Sequence, residues 1–266
     1  MSRVLPRQAK NGRRLPARRP RLQVPFPACQ PGPAKSPSSV PSLPRSSSPS
    51  WPELAEHDTQ KLQRLFTEAR DLGFLGPGDV GEQITRSVAF AVAAGVPPPT
   101  GLVADLGSGG GLPALVLAIV WPRSSWLLID SNQRRTTWLR RASSELGAAA
   151  RVEVVCERAE LVARSPRRHQ AELVTARSFG PPAATAECAA ALLALGGCLL
   201  VSDPPEAGQP ERWPQDGLSK LGLELGNREV IATAAGPVSF SKIFAVSQCA
   251  ERYPRRVGAP FKRPLF

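Results

Sequence analysis

The segment Asp105-Leu106-Gly107-Ser108-Gly109-Gly110-Gly111-Leu112-Pro113 constrains the fold more than any other stretch of the chain. A short apolar run, Leu102–Leu106, carries an acid at Asp105 and then meets glycines at alternate positions. Glycine lets the backbone turn sharply and lets another group approach it closely. A helical pattern opens at Leu112-Pro113, where proline suits the first turn because its missing N–H has no partner there. Further short apolar runs follow at Trp126–Ile129, Val152–Cys156, Leu173–Ala176 and Cys198–Val201. Helical patterns fill the gaps at about 112–121, 132–147, 182–195 and 211–221. This alternation predicts an α/β fold, a mostly parallel sheet with helices on both faces. Residues 223–232 and 239–247 read as two more strands, a terminal antiparallel pair that brings the sheet to seven.

Ahead of this unit, Leu54, Leu62, Leu65, Phe66 and Ala69 recur at helical spacing, and Gly73 is a stop. A second helix spans about Gly81 to Ala94, and Pro97-Pro98-Pro99 breaks the chain. The predicted organisation is a tail over 1–50, a small helical segment over 51–96, the α/β domain over 97–250 and a basic extension over 251–266. The net charge of +12 is concentrated at the two ends. Residues 1–50 hold ten Lys or Arg, eleven Pro and no Asp or Glu, whereas 51–266 hold 24 basic and 22 acidic side chains. A tail of that composition cannot bury enough apolar area to offset its ordering entropy, so disorder is expected. It reads as a nucleic-acid-binding tail, a targeting segment or an overextended start.

Five cysteines form no C-x-x-C pair, and only His57 and His169 are present. That composition points away from a disulfide framework, a metal site and histidine-based nucleophilic catalysis, and toward a reducing cytoplasm. The longest apolar stretch, Cys188 to Val201, contains two glycines and is too short to span a bilayer. Cys156, Cys188, Cys198 and Cys249 lie in apolar runs and are expected in the core.

In an open parallel sheet, ligands bind at the carboxyl ends of the strands, near the switch point. A dinucleotide site needs G-x-G-x-x-G, and here Leu112 occupies the third glycine position. Asp105 would repel a pyrophosphate, but it favours the sulfonium and ammonium charges of S-adenosyl-L-methionine. The second strand ends in Asp130, where a carboxylate can accept both hydrogen bonds of a ribose diol. The candidate cofactor residues are therefore Asp105, Gly107, Gly109, Gly111, Leu112 and Asp130. The competing reading is a glycine-rich turn with Asp130 capping the next helix.

Asp105–Pro113, Ile129-Asp130-Ser131 with Arg134-Arg135 and Trp138-Leu139, Arg158-Ala159-Glu160 and Thr175-Ala176-Arg177-Ser178-Phe179 together resemble the bacterial 16S rRNA guanine-N7 methyltransferases. That family is also called glucose-inhibited division protein B. The ending Arg255-Arg256 through Lys262-Arg263-Pro264-Leu265-Phe266 is similar too, and the resemblance covers about 100–266. It implies a Rossmann-like class I methyltransferase fold and contacts from Gly107 and Leu112 to the cofactor. It also implies that Ala159 and Glu160 lie beside the adenine. Arg177 would sit at the active-site mouth, serving both cofactor and catalysis, unless it is a surface ion pair. Two departures stand out. The stretch Glu82-Gln83-Ile84-Thr85-Arg86-Ser87 lacks the family's Arg-His motif, and Ser202-Asp203-Pro204-Pro205 replaces its Lys-Gly.

Methylation at guanine N7 needs no general base, because that nitrogen presents a lone pair, so placement is the main task. Asp203-Pro204-Pro205 follows strand five and lacks the aromatic of an exocyclic-amine methyltransferase motif, so it reads as a turn. The implied partner is 16S rRNA or the small ribosomal subunit, met by a monomer without a membrane segment. Candidate phosphate contacts are Arg134, Arg135, Arg255, Arg256, Lys262 and Arg263, with Arg140 and Arg141 on the same helix as the first two. Those helix arginines read equally as a solvated face. No aromatic stacking platform is evident. A small-molecule methyltransferase and a non-catalytic RNA-binding assembly factor are the alternative functions.

Overall fold

The computed structural model describes residues 51–95, 98–204 and 212–266. The expected tail over 1–50 lies outside the described residues. The first helix, α1 (Glu56–Asp71), buries Leu62, Leu65, Phe66 and Ala69 along one stripe and leaves its charged residues facing outward. The second, α2 (Val80–Ala94), starts at Asp79, whose side chain accepts the Glu82 N–H at 2.9 Å. An extended N-cap with an acidic acceptor satisfies one of the orphan donors of the first turn.

The remaining elements alternate as the hydrophobic pattern predicts. They are β1 (Leu102–Leu106), α3 (Ala114–Val120), β2 (Ser125–Asp130), α4 (Gln133–Glu145), β3 (Val152–Cys156), α5 (Ala159–Val162) and β4 (Ala171–Ala176). Then follow α6 (Pro182–Leu192), β5 (Leu193–Asp203), α7 (Gln215–Ser219), β6 (Leu223–Ile231), β7 (Val238–Ala245) and α8 (Ala259–Lys262). The seven strands form one sheet in the order β3-β2-β1-β4-β5-β7-β6. β7 runs antiparallel to both its neighbours, and the other pairings from β3 to β5 are parallel. The fold is the Rossmann-like α/β architecture expected from the sequence.

The sheet separates two apolar layers. Alternate strand residues, Val103, Leu128, Leu173 and Leu200, pack with α1 to α4 on one face. Ala104, Leu127, Val174 and Leu199 pack with α5, α6 and α7 on the other. α3 reads ALVLAIV and is buried over its first five residues, because α2 covers its outer side. α1 and α2 thus share one core with the sheet. Chain order reverses between β1 and β4, which opens the crevice where such folds bind ligands.

Some expectations shift. The strand expected from Cys198 begins at Leu193, which pairs with Ala171, and this cuts the preceding helix back to Leu192. The expected helix over 211–221 is reduced to α7, with Pro214 at its N-cap and Gly222 just beyond it, and residue 211 lies outside the described residues. α3 opens at Ala114 with Pro113 as its N-cap residue, two residues later than the expected start at 112. Cys156 is exposed rather than in the core, because it ends the edge strand β3, beyond the cover of the helices. Among the described residues, no helix is long and apolar enough to cross a membrane, and no cluster of His, Cys, Asp and Glu could hold a metal.

Candidate active site

The glycine loop leaves β1 at the crevice and is held from below. Ser108 N–H donates to the Ile129 carbonyl at 3.0 Å, and Gly109 N–H donates to Asp130 Oδ2 at 2.9 Å. Gly107 has φ +67°, and an added Cβ would lie 2.8 Å from the Phe179 ring. A side chain there would combine a strained backbone with a collision. Gly110 is covered by the segment joining α1 to α2, so a methyl group at that position would run into Leu75.

Two adjoining cavities open around the loop. The smaller, about 460 Å³, is floored by Ile129, Asp130 and Ala159 and walled by Phe179 and Phe261. The larger, about 580 Å³, lies between the loop and the first turns of α2, with Arg177, Gln83, Arg86 and Glu82 in its walls. Gly107, Arg135 and Ser178 border both.

Asp130 is 6% exposed at the floor of the smaller cavity. Its Oδ1 accepts the Asn132 N–H at 2.8 Å, while Arg135 Nη1 stands 3.7 Å from Oδ2. Capping of α4 falls to Asn132, whose side chain accepts the N–H groups of Arg134 and Arg135. The competing reading of Asp130 as the helix cap is therefore not what the chain does. Ala159 and Glu160 border the smaller cavity as expected, but the Glu160 carboxylate is already engaged. It accepts Arg158 Nη2 at 3.1 Å and the Gly258 N–H at 2.9 Å. Burial would raise its pKa, but these hydrogen bonds outweigh burial and hold it below the usual carboxylate range.

Asp105 and Gly111 lie behind the loop and border neither cavity. Asp105 is 1% exposed; its Oδ1 accepts the Thr175 hydroxyl at 2.6 Å, and its Oδ2 has no partner among the described residues. Burial pushes its carboxyl up to about 7, with hydrogen bonds from Thr175 and Ser108 opposing. Asp105, expected to meet the cofactor, is placed beneath the loop rather than on a cavity wall. Leu112 and Gly109 border the larger cavity.

Among the described residues, Arg177 makes no ion pair. Its Nη2 donates to Gln83 Oε1 at 3.2 Å, and its buried Nη1 has no partner among the described residues. Burial, then repulsion from Arg86, pushes its pKa down, and the Asp105 charge opposes this. Gln83 and Arg86, on α2, were absent from the sequence-based site. They carry no motif of their own, and only the packing of α2 onto the sheet brings them there.

The basic candidates divide. Arg134 is exposed above the Phe74 ring at 5.8 Å, and Arg256 and Arg263 are exposed. Lys262 stands at the rim of the smaller cavity. Arg255, expected to meet phosphate, instead turns inward onto Glu187, with Nη2 2.7 Å and Nε 3.0 Å from its carboxylate oxygens. Glu187 is 0% exposed, so its charge requires that partner. Arg140 donates to the Val154 carbonyl, and Arg141 pairs with Glu68 and Glu145, so these two belong to the structural reading. Asp203 is bound by Arg212 and Ser241 and borders neither cavity; it is the last residue of β5 rather than part of a turn, and Pro205 lies outside the described residues. The C-terminal extension walls the smaller cavity through Gly258 and Phe261, which sequence reasoning did not single out. Phe261 meets Phe179 edge to face, with ring centroids 5.6 Å apart.

Residues 82–202 match the family model described as GidB: rRNA small subunit methyltransferase G. The relative of that name from Thermotoga sp. (strain RQ2) is 34% identical over 166 residues, covering 62% of this chain and 72% of the relative. The relative from Prochlorococcus marinus (strain NATL1A) is 30% identical over 164 residues, covering 60% of this chain and 66% of the relative. Among solved structures, TrmN from Thermus thermophilus superposes with a TM-score of 0.47 at 20% identity, over 68% of this chain and 52% of that one.

Proposed function

The chain belongs to the ribosomal RNA small subunit methyltransferase G family, and we propose that it transfers a methyl group from S-adenosyl-L-methionine to guanine N7 in 16S rRNA of the small ribosomal subunit. The observation that carries this reading is Asp130 at the end of β2, bonded to the glycine loop at Gly109 and flooring a cavity that adjoins Arg177.

The residues present fit the cofactor. Apolar surfaces from Ile129, Ala159, Phe179 and Phe261 suit a purine, and Asp130 retains lone pairs for a ribose diol. The unpartnered Oδ2 of Asp105 and Nη1 of Arg177 put opposite charges near the loop, suited to a group bearing sulfonium, ammonium and carboxylate. The cavity volumes lie in the range of small-molecule sites, about 300–1,000 Å³. Asp130, Gly107, Gly109, Leu112 and Ala159 would hold the cofactor, with Arg177 at its reactive end. When bound, S-adenosyl-L-methionine supplies an electrophilic methyl carbon, whose bond to sulfur breaks as the N7 lone pair bonds to it.

No side chain has to take a proton, because guanine N7 carries none. The chain's contribution is placement, which can be worth roughly 7–11 kcal/mol of barrier. Exposed Arg134, Arg256 and Arg263, with Arg135 and Lys262 at the cavity rims, would neutralise RNA phosphates, making affinity fall as salt rises. The proposal is of a monomer acting in the cytoplasm.

The test is tritium transfer from labelled S-adenosyl-L-methionine to unmethylated small subunits, followed by mapping of the modified base. Label at N7 of a 16S guanine is the expected result. Label only in small molecules would favour a small-molecule methyltransferase. Absence of calorimetric binding of S-adenosyl-L-methionine would leave only a non-catalytic RNA-binding factor.

A further inference from the structure

Glu82 lies in the first turn of α2, where its charge suits the positive helix end, but its side chain makes no hydrogen bond or ion pair among the described residues. Asp79-x-x-Glu82 has the spacing of a capping box, in which each side chain would bond the other's backbone N–H. Only the Asp79 half is formed, with Oδ1 accepting the Glu82 N–H. Glu82 is exposed and borders the larger cavity, and its carboxylate has no hydrogen-bond or ion-pair partner among the described residues. Arg177 also borders that cavity, with its buried, unpartnered Nη1. Gln83, 8% exposed and adjacent to Glu82 in sequence, accepts a hydrogen bond from Arg177 Nη2 at 3.2 Å.

A free carboxylate facing a site for a polyanion weakens binding unless the ligand brings N–H donors to it. Among the four bases, only guanine carries two adjacent donors on one edge, N1–H and the N2 amino group. They are spaced to meet the two oxygens of a carboxylate, whereas adenine presents an acceptor at N1. Guanine O6 is an acceptor beside N7 and suits an unpartnered guanidinium N–H. One base can therefore satisfy both groups, with O6 and N7 toward Arg177 and the cofactor cavity and its N1/N2 edge toward α2. We propose that Glu82 is a specificity-determining residue that reads the N1–H and N2 amino edge of the target guanine, with Arg177 taking O6. This rests on the guanine-N7 reading above.

The test compares wild type and Glu82→Gln on small subunits reconstituted with guanosine or inosine at the mapped target position. Inosine keeps N7, O6 and N1–H but lacks the N2 amino group. Wild type is expected to lose roughly ten- to a hundredfold in kcat/KM on inosine, the effect of one lost hydrogen bond to a charged group. Glu82→Gln is expected to lose a similar factor on guanosine and to treat the two bases within about twofold of each other, with unchanged Tm and unchanged affinity for S-adenosyl-L-methionine. A wild-type guanosine/inosine ratio preserved in Glu82→Gln would overturn the assignment. So would a drop in cofactor affinity, which would give the carboxylate to the cofactor's ammonium group. A lowered Tm with the ratio preserved would leave Glu82 as a helix-terminus charge and nothing more. No transfer to guanosine subunits by wild type would instead remove the guanine-N7 reading, and this inference with it.

Discussion

Replacing Asp105 with asparagine keeps the shape of the side chain, retains an acceptor for Thr175 Oγ1 and removes the charge. In the folded chain burial pushes this carboxyl from its ordinary 3.8 up to about 7. Between those values the folded protein holds a proton that the unfolded chain has released, so stability falls as pH rises through that window. Below it both states are protonated and the group costs nothing; above it both are ionised and the cost is complete. A rise from 3.8 to about 7 corresponds to about 4 kcal/mol, of which roughly half develops between pH 5 and pH 8. Urea unfolding at pH 5, 6, 7 and 8 should therefore show wild type losing about 2–3 kcal/mol relative to Asp105→Asn, most steeply below pH 7. The same group should govern the cationic cofactor. Calorimetric affinity for S-adenosyl-L-methionine should rise through about pH 7 in wild type, with proton release, and stay flat in the variant. Parallel stability profiles for the two proteins would refute the argument, because they would mean that Asp105 does not titrate in this range.

Asp130→Ala removes the acceptor for a ribose diol and for the Gly109 and Asn132 N–H groups. Affinity for S-adenosyl-L-methionine should fall by about 2–4 kcal/mol, read by calorimetry, and unchanged affinity would remove the assignment. Gly107→Ala combines φ +67° with a collision against Phe179, and should lower stability by about 1–3 kcal/mol while weakening the cofactor. Arg255→Ala leaves the Glu187 charge buried without its partner, and should cost about 3–5 kcal/mol in urea unfolding. Loss of cofactor affinity should accompany it, because the same C-terminal extension supplies Gly258 and Phe261 to the smaller cavity.

Much of the fold was legible because its signals are local. Strand runs buried on both faces, glycines between β1 and α3, and helical patterns in the gaps are all properties of neighbouring residues. Elements of four residues, α5 and α8, left no periodicity to read, and the exposure of Cys156 depended on which strand lies at the sheet edge. The site divides in the same way. That Gly107, Gly109, Leu112 and Asp130 line the crevice was legible because strand ends and the loop joining them define one edge of the sheet. Gln83, Arg86 and Glu82 sit on a helix whose spacing says only that one face is buried. Their place opposite Arg177 follows from the packing of α2 against α3 and the sheet. The charge of Arg255 pointed outward to phosphate, yet a buried glutamate 68 residues away holds it. Sequence alone determined the chain's periodicities, its turns and the chemistry of its strand ends. Tertiary structure decided which distant charges meet and which groups are dry, because burial and ion pairing depend on neighbours that only the folded packing supplies.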